Sequence, residues 1–454
     1  MKKIISMLSF ALLLNANDTI TNALSLPQAL EILQSQNLEV KAAKLDIQSA
    51  KEQADTVSGM NWGKLTFTQD IARSNDAGNV FGFKLTSREA TFGDFGFGDP
   101  MMPPQTDPAY LTTPPDTLNY PEARNFFQSK LKYEVPLFTG FAISSYENIM
   151  NEMTKLKTLD KEKVVTEKRY ELKKSFYDMA LLNSSIKNLQ KILSNINTLE
   201  KTTETMIAVG YAKRVDLLEV QAKKGNVERL LTQMNANKKL LYHYISFLLN
   251  RKVDAIIPPQ SEVAMPHLSN EDVLQRNLDI QKAKTGLEIR ENMVKSSQAA
   301  YYPTVGAFGE VATADNTFLG DASDHKAYTV GARLTWNLFN GGIDRSKIEK
   351  SKIEKMKMRT QVELAKKGIA LKLAKIRTEI ESSNAQIASL KKELALANAI
   401  YENYEGRYKE KLVSMSDVII KQSAQIEKIL QLQVAQNKRT AKIFALEKLA
   451  NGEK

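Results

Sequence analysis

The stretch LFTGFAISS at residues 137–145 returns as LFNGGIDRS at residues 338–346. In both places an alternating apolar segment precedes the stretch and a long segment without proline follows it. The two copies match at a constant offset of 201 residues, and the same offset still aligns Asp216 with Asp417 further along. A match that persists this far without an insertion predicts a rigid element and a duplicated architecture.

Before the two turns, the offset between the copies is 240 residues, and it aligns Asn37 with Asn277. The first copy therefore carries 39 extra residues somewhere between about 70 and 126. Seven of the 13 prolines of the chain lie in this insert, from Pro100 to Pro121. Because proline interrupts both helices and central strands, we expect a long exposed loop at about 75–125.

The two copies divide the mature chain into a first repeat, residues 24–250, and a second repeat, residues 269–454. A proline-containing linker, residues 251–268, joins them. The first 23 residues combine a basic start, a short apolar run and small residues. They predict a cleaved secretory signal peptide, with cleavage after residue 16 or 23, and therefore export from the cytoplasm.

The composition argues against an enzyme, a cofactor and a metal site. The chain has no cysteine, and its three histidines are scattered along the sequence without ligand spacing. No arrangement of a nucleophile with its base is present either. The net charge of +11 is spread among acidic residues along predicted helices, so we expect no nucleic-acid partner.

Long helices follow each copy of the turn, and their apolar residues repeat every three and four positions. This 3.5-residue period predicts a coiled-coil seam. In the second repeat the seam runs through Ile369, Leu373, Ile376, Ile380, Ser383, Ile387, Leu390, Leu394, Ala397, Tyr401, Tyr404 and Tyr408. At 1.5 Å per residue, a helix from about 141 to 209 is roughly 100 Å long. A shorter helix returns from each long one, to about residues 250 and 450.

Strict two-residue alternation precedes each turn, at 127–137 and at 328–338, and predicts a strand with one apolar face. The partner strands begin at Lys64 and Pro303, so each repeat supplies one hairpin and the chain four strands. Ten-residue alternation of this kind is the weak signature of a membrane β-barrel. Because a barrel needs at least about eight strands, several chains must share it, and three would give twelve. A small soluble sheet joined to a coiled coil is the alternative.

The order of these elements, the two turns and the phrases VGYAKRVDLLEVQ and KLVSMSDVIIKQ resemble the TolC-like outer membrane channel family. The resemblance covers essentially the whole mature chain. It implies a homotrimer with one twelve-stranded β-barrel in the outer membrane of a Gram-negative bacterium. It also implies a long antiparallel α-helical coiled-coil barrel, continuous with the first and extending into the periplasm, and therefore an α+β membrane protein.

The family's function, carried over with this resemblance, is the exit duct of a tripartite efflux or type I secretion system. The implied partners are a periplasmic adaptor (membrane fusion) protein, an inner-membrane pump of the RND, ABC or MFS type, and outer membrane lipid. The duct would be a passive conduit gated at the periplasmic helix tips, at about 208–216 and 408–417. A periplasmic coiled-coil protein without a channel, structural or adaptor-like, is the alternative function.

The same resemblance places gate and pore candidates at the tips: Asp417, Tyr408, Asp216, Lys411 and Gly210. Asp417 would form an acidic ring that favours cations, although both aspartates also have the position of a helix N-cap residue. The chain departs from the family at Lys411, where glycine is usual. It departs also at Val413 and Ile420, where a basic and an acidic residue are expected. The strand-to-helix turns depend on Gly140, Gly341 and Gly342.

Overall fold

The structure is a computed structural model that describes residues 23–260, 262–318, 320 and 324–451. Apart from Ala23, the predicted signal peptide lies outside the described residues. The described residues form ten α-helices and four strands. In chain order these are α1 (Leu26–Gln36), α2 (Leu38–Gly59), β1 (Lys64–Ser74), α3 (Ala77–Thr86), α4 (Asp116–Asn119), β2 (Arg124–Phe138), α5 (Ala142–Ala208), α6 (Arg214–Leu249), α7 (Asn270–Arg276), α8 (Leu278–Gln298), β3 (Thr304–Asp315), β4 (Lys326–Thr335), α9 (Ile343–Lys409) and α10 (Met415–Leu449).

The two repeats have the same order of elements. Each has a broken helix pair, a hairpin, a helix of 67 residues and a return helix, α6 or α10, of 36 or 35 residues. Residues 75–123, 49 in number, separate β1 from β2, whereas residues 316–325, ten in number, separate β3 from β4. The difference equals the 39 extra residues expected in the first repeat.

The insert between β1 and β2 is less irregular than predicted. Its proline-rich part contains only short helical turns, but α3, of ten residues, lies before the first proline of the insert. Asp76 caps this helix by accepting a hydrogen bond from the Asn79 backbone N–H at 3.0 Å. The expectation of a loop throughout 75–125 was therefore wrong at α3, which lies before the first proline, and at the single turn of α4, which begins directly after Pro115.

The chain divides into two compact units, and the first consists of the described parts of Met1–Leu45, Leu159–Gln281 and Ala365–Lys454. Its core is built from the predicted seams. In α9, Leu373, Ile380 and Tyr401 are at most 2% exposed, and in α5 Leu172 and Leu189 are fully buried. Burying side chains of this size contributes about 1.5–3 kcal/mol each. The predicted 3.5-residue seam is confirmed in this unit.

A buried asparagine divides the first helical segment of each repeat into two helices, α1 and α2 or α7 and α8. Asn37 donates to the Leu248 carbonyl at 2.8 Å and accepts from the Val40 N–H at 3.0 Å. Asn277 makes the same two bonds, to Leu449 at 2.9 Å and from Ile280 at 3.1 Å. The side chain thus caps the second helix of the pair and fixes it to the end of the return helix.

The second unit, Asp46–Thr158 and Lys282–Leu364, contains the sheet. Its four strands are antiparallel neighbours in the order β1-β2-β3-β4. The fourth strand ends at Thr335, three residues earlier than the alternation predicted. Trp336 lies beyond it and donates its indole N–H to the Tyr301 carbonyl at 3.2 Å, so this part of the alternating pattern lies outside the ladder.

Candidate functional site

The strand register gives the sheet one apolar and one polar face. Side chains directly opposite one another in antiparallel strands share a face. Leu131 of β2 lies opposite Phe67 of β1 and Val311 of β3, and Val311 lies opposite Tyr328 of β4. The same face carries these further residues: Leu65, Ile71, Tyr133, Val330 and Leu334.

The apolar face is open to solvent in the single chain. Phe67 is 65% exposed, Tyr328 81% and Val330 76%. A monomeric soluble protein rarely exposes so large a contiguous apolar surface. This face therefore needs an apolar environment, and a band of lipid chains supplies one for sheets with this alternation.

The opposite face carries charges and hydroxyl groups. Lys130 of β2 forms an ion pair with Glu310 of β3 at 3.4 Å, and Lys132 pairs with Glu134 at 2.8 Å. Arg333 of β4 lies over the ring of Phe308, 5.9 Å from its centroid. These charged groups contact one another across the face, so this face suits an aqueous lumen.

Both outer strands of the sheet have a free edge in the described residues. β1, of 11 residues, pairs only with β2, and β4, of ten residues, pairs only with β3. All but one residue of β4 are exposed. Long uncovered edges are templates for pairing with another chain, so this sheet is incomplete as it stands.

The turns that lead from strand to helix have the same conformation in both repeats. Gly140 and Phe141 have φ of 62° and 68°, and the equivalent Gly341 and Gly342 have φ of 68° and 84°. The side chain at the start of each turn caps the following helix: Thr139 accepts from the Ile143 N–H and Asn340 from the Asp344 N–H. The recurring sequence stretch thus encodes a left-handed turn whose first side chain caps the helix that follows.

The two helix tips lie beside each other in the first unit. Lys411 places its ammonium group 3.3 Å from the ring centroid of Tyr211. Gly210 and Lys411, at equivalent positions, both have left-handed backbones, with φ of 78° and 66°. Lysine therefore occupies the conformation for which the family's glycine is suited, and its side chain joins the two tips.

Asp216 and Asp417 both act at the start of the return helices. Asp216 accepts from the Lys213 N–H at 2.7 Å. Asp417 accepts from the Ser414 N–H at 3.1 Å and from its hydroxyl at 2.6 Å. These hydrogen bonds, the hydroxyl's first, lower the pKa of Asp417 below its ordinary value of 3.8. The predicted N-cap position was therefore wrong by three residues: Lys213 and Ser414 are the N-cap residues, and each aspartate lies at N3 and bonds back to its N-cap residue.

Tyr408 is buried in the first unit, 5% exposed, and shares a hydrogen bond of 3.3 Å with the Thr203 hydroxyl. Burial raises the pKa of Tyr408. Tyr401 is 1% exposed and accepts a hydrogen bond from the Gln422 amide at 3.3 Å. Sequence reasoning missed both Thr203 and Gln422 as partners of these tyrosines.

No cluster of three or more His, Cys, Asp or Glu side chains suited to a metal ion occurs in the part of the chain that the structure describes. None of the helices built from those residues combines the length and the apolar character needed to cross a membrane.

Comparisons with known proteins agree with this architecture. Residues 270–452 match the family model described as outer membrane efflux protein. CusC, with 14% identity, superposes with a TM-score of 0.78 over 97% of this chain and 96% of its own. VceC of Vibrio cholerae, also 14% identical, gives 0.75 over 94% and 96%. The outer membrane channel MtrE of Neisseria gonorrhoeae, 13% identical, gives 0.74 over 96% and 94%. Comparison with curated proteins finds no sequence match.

The family match and the superpositions confirm the predicted resemblance to the TolC-like family and the predicted α+β fold class. The family match covers the second repeat, and the structural likeness extends over nearly the whole chain. The second repeat thus has the sequence pattern of an outer membrane efflux protein, and the chain as a whole has the fold of the TolC-like outer membrane channels.

Proposed function

We propose that three copies of this chain form an outer membrane channel, the exit duct of a tripartite efflux or type I secretion system. The observation that carries the proposal is the four-stranded sheet with two free edges, an exposed apolar face and a charged opposite face. In water this sheet would leave its apolar face unburied. In a shared barrel β4 of one copy pairs with β1 of the next, and every edge is closed.

A geometric requirement and a further observation support an assembly of several copies. A barrel needs about eight strands before it encloses even side chains, and three copies supply twelve. On α6, Leu240, Tyr244 and Phe247 follow one another at spacings of four and three, so they share one side of the helix. They are 65%, 40% and 65% exposed. A neighbouring copy would cover this seam.

We place the gate of the channel at the two helix tips, with Asp417 as the acidic ring and Tyr408, Asp216, Lys411 and Gly210 as its surroundings. The contact of Lys411 with Tyr211 and the hydrogen bond of Tyr408 with Thr203 support this placement, since both join the two repeats at the tips. Three carboxylates around a narrow axis attract cations. An aspartate with its ordinary pKa of 3.8 is already ionised at neutral pH, and the hydrogen bonds from Ser414 lower the pKa of Asp417 further.

The partners that follow are a periplasmic adaptor and an inner-membrane pump of the RND, ABC or MFS type, with lipid around the barrel. The duct itself is passive and has no catalytic role. The periplasmic coiled-coil alternative accounts for the long helices but leaves the apolar face of the sheet in water.

Single-channel current in a planar bilayer tests the proposal. The native protein should give discrete, long-lived and cation-preferring steps. Asp417→Asn keeps the side chain's shape and removes its charge, so the cation preference should fall several-fold. Ser414→Ala removes the capping partner and keeps the carboxylate, so it should retain the preference.

The possible results test the channel and the acidic ring at Asp417 separately. Folded native protein that gives no steps would contradict the channel. Steps whose selectivity is the same in the native protein and in Asp417→Asn would retain the channel and reject the ring at Asp417.

A further inference from the structure

The insert of the first repeat, residues 75–123, packs against the sheet through two side-chain contacts with β2. The ring of Phe83, in α3, stacks on Phe126 of β2, with centroids 4.2 Å apart and planes at 10°. Val80, also in α3, is 2% exposed. Glu89 forms an ion pair with Arg124, the first residue of β2. The insert therefore lies on the sheet as a packed element.

The face of the sheet that the insert covers is the polar one. Side chains alternate between faces along a strand, so Phe126 and Arg124 share a face with Gln128, Lys130 and Lys132. Phe126 is only 7% exposed. Ala314, which lies opposite Gln128 on this face, is 2% exposed. In contrast, the large side chains of the apolar face remain open to solvent.

Internal contacts hold the insert together. Lys84 of α3 forms an ion pair with Asp94, and the hydrogen bond from Lys84 lowers the pKa of Asp94. The rings of Phe81 and Phe95 meet edge to face, with centroids 5.0 Å apart. The helix and the turn after it thus form a small apolar and ionic cluster, which restrains this part of the insert as a folded element.

The connection between β1 and β2 lies at the end of the hairpin opposite to the end from which β2 leads into α5. In the proposed channel α5 enters the periplasm, so the insert lies at the outer mouth. Because the polar face lines the lumen, α3 lies inside that mouth. The second repeat has only ten residues at the equivalent place, so each chain supplies one such insert.

We propose that the insert is an outer size filter: three copies, folded over the lumen face, narrow the extracellular mouth and set the largest solute that passes. This inference rests on the channel proposed above. It adds a second constriction, remote in the sequence from the tips, and assigns it to the segment around α3.

The first test measures the conductance of a shortened channel. Residues 77–121 are replaced by a short Gly-Ser linker, so that the β1–β2 connection approaches the length of the β3–β4 connection. The open-state conductance should rise about twofold or more, and larger polyethylene glycols should enter the pore. As a control, Ile257→Ser changes an exposed side chain of the linker between the repeats, 54% exposed, and should leave both values unchanged.

A second test keeps the full chain and uses its lack of cysteine. Leu85→Cys places one thiol on α3, at a side chain that is 52% exposed. A bulky water-soluble thiol reagent should lower the current through this channel by half or more. Tyr328→Cys lies on the apolar face, and the reagent should neither label it in the bilayer nor change the current.

Failure of the size filter and failure of the channel give different results in these tests. Native protein without steps would contradict the channel itself. The size filter would be overturned if native channels conduct and complete labelling of Leu85→Cys leaves the current unchanged. A shortened channel with native conductance and a native polymer cut-off would overturn it equally.

Discussion

Equivalent glycines of the two strand-to-helix turns experience different surroundings. Gly140 and Gly341 have nearly the same φ, 62° and 68°. A Cβ on Gly140 would lie 2.7 Å from the Ala299 carbonyl oxygen and 2.9 Å from the Tyr302 Cβ, whereas a Cβ on Gly341 would meet no atom within 4 Å. The left-handed backbone favours glycine in both turns. Crowding by Ala299 and Tyr302 excludes a side chain only in the first turn.

Alanine substitutions at Gly140 and Gly341 distinguish the cost of the left-handed backbone from the cost of crowding by neighbouring atoms. Gly341→Ala should cost about 1 kcal/mol of unfolding free energy through the left-handed backbone alone. Gly140→Ala should cost about 1–3 kcal/mol more, because backbone atoms must also move. Denaturant unfolding in detergent micelles measures both. Equal losses would show that the close approach at Ala299 and Tyr302 contributes nothing.

The buried asparagines at the helix breaks give a second prediction at this scale. Asn37→Ala and Asn277→Ala each remove two hydrogen bonds and leave a buried carbonyl and N–H without their partner. Each should cost about 2–4 kcal/mol, and the two losses should be similar. Ser35→Ala, at an exposed helical residue, is the control and should change stability little. A small effect at either asparagine would contradict its role as a cap and tether.

At the scale of elements, the two faces of β4 differ in what they tolerate. Val330 lies on the apolar face and its neighbour Thr329 on the polar face. In the proposed barrel Val330→Lys puts a charge in lipid and should cost about 2–4 kcal/mol near the middle of the bilayer. Thr329→Lys points into water and should be tolerated. The yield of folded protein in lipid vesicles checks this, and equal yields would place both faces in the same environment.

A pair of buried polar side chains stabilises the helices near the tips. Tyr401→Phe leaves the Gln422 amide without its hydroxyl partner and should cost about 1–3 kcal/mol. Adding Gln422→Leu removes the stranded group, so the double variant should regain part of this loss. Thermal unfolding of the native protein, Tyr401→Phe, Gln422→Leu and the double variant forms a double-mutant cycle. Strictly additive losses would show that the two side chains do not act as a pair.

Periodicity predicted the regular elements well, because it reports which side chains must be buried together. The seam from Ile369 to Tyr408 and the hairpin strands needed only the 3.5- and two-residue patterns. The breaks at Asn37 and Asn277 could not be predicted, since each depends on a carbonyl of a distant helix. The position of α3 depends in the same way on Phe126 and Arg124, far along the chain.

In the candidate gate, too, some features could be predicted from the sequence and others could not. The tip turns follow from local sequence, since glycine and aspartate have distinct positions at helix ends. The contacts of Tyr408 with Thr203 and of Lys411 with Tyr211 join the two repeats, and a single sequence does not specify such pairs. The pore roles of Asp417 and its neighbours stay predictions.

At the scale of the whole molecule, duplication gives each chain two hairpins and two long helices from one structural unit. Two hairpins pair side by side into a sheet but cannot close it, so both outer edges stay free. In the proposed channel, association with further copies would remove these edges and cover the exposed apolar seam of α6 in the same step. The central claim is therefore that β4 of one copy pairs with β1 of the next.

Disulfide cross-linking between these edges tests the claim most directly, because the native chain has no cysteine. Thr68→Cys in β1 is combined with a cysteine at each of the ten positions of β4 in turn, and the protein is oxidised in its native membrane. We predict that closely spaced β4 positions give cross-linked species of two and three chains and none larger. Single chains at every position, or a ladder extending beyond three chains, would contradict the closed barrel of three copies.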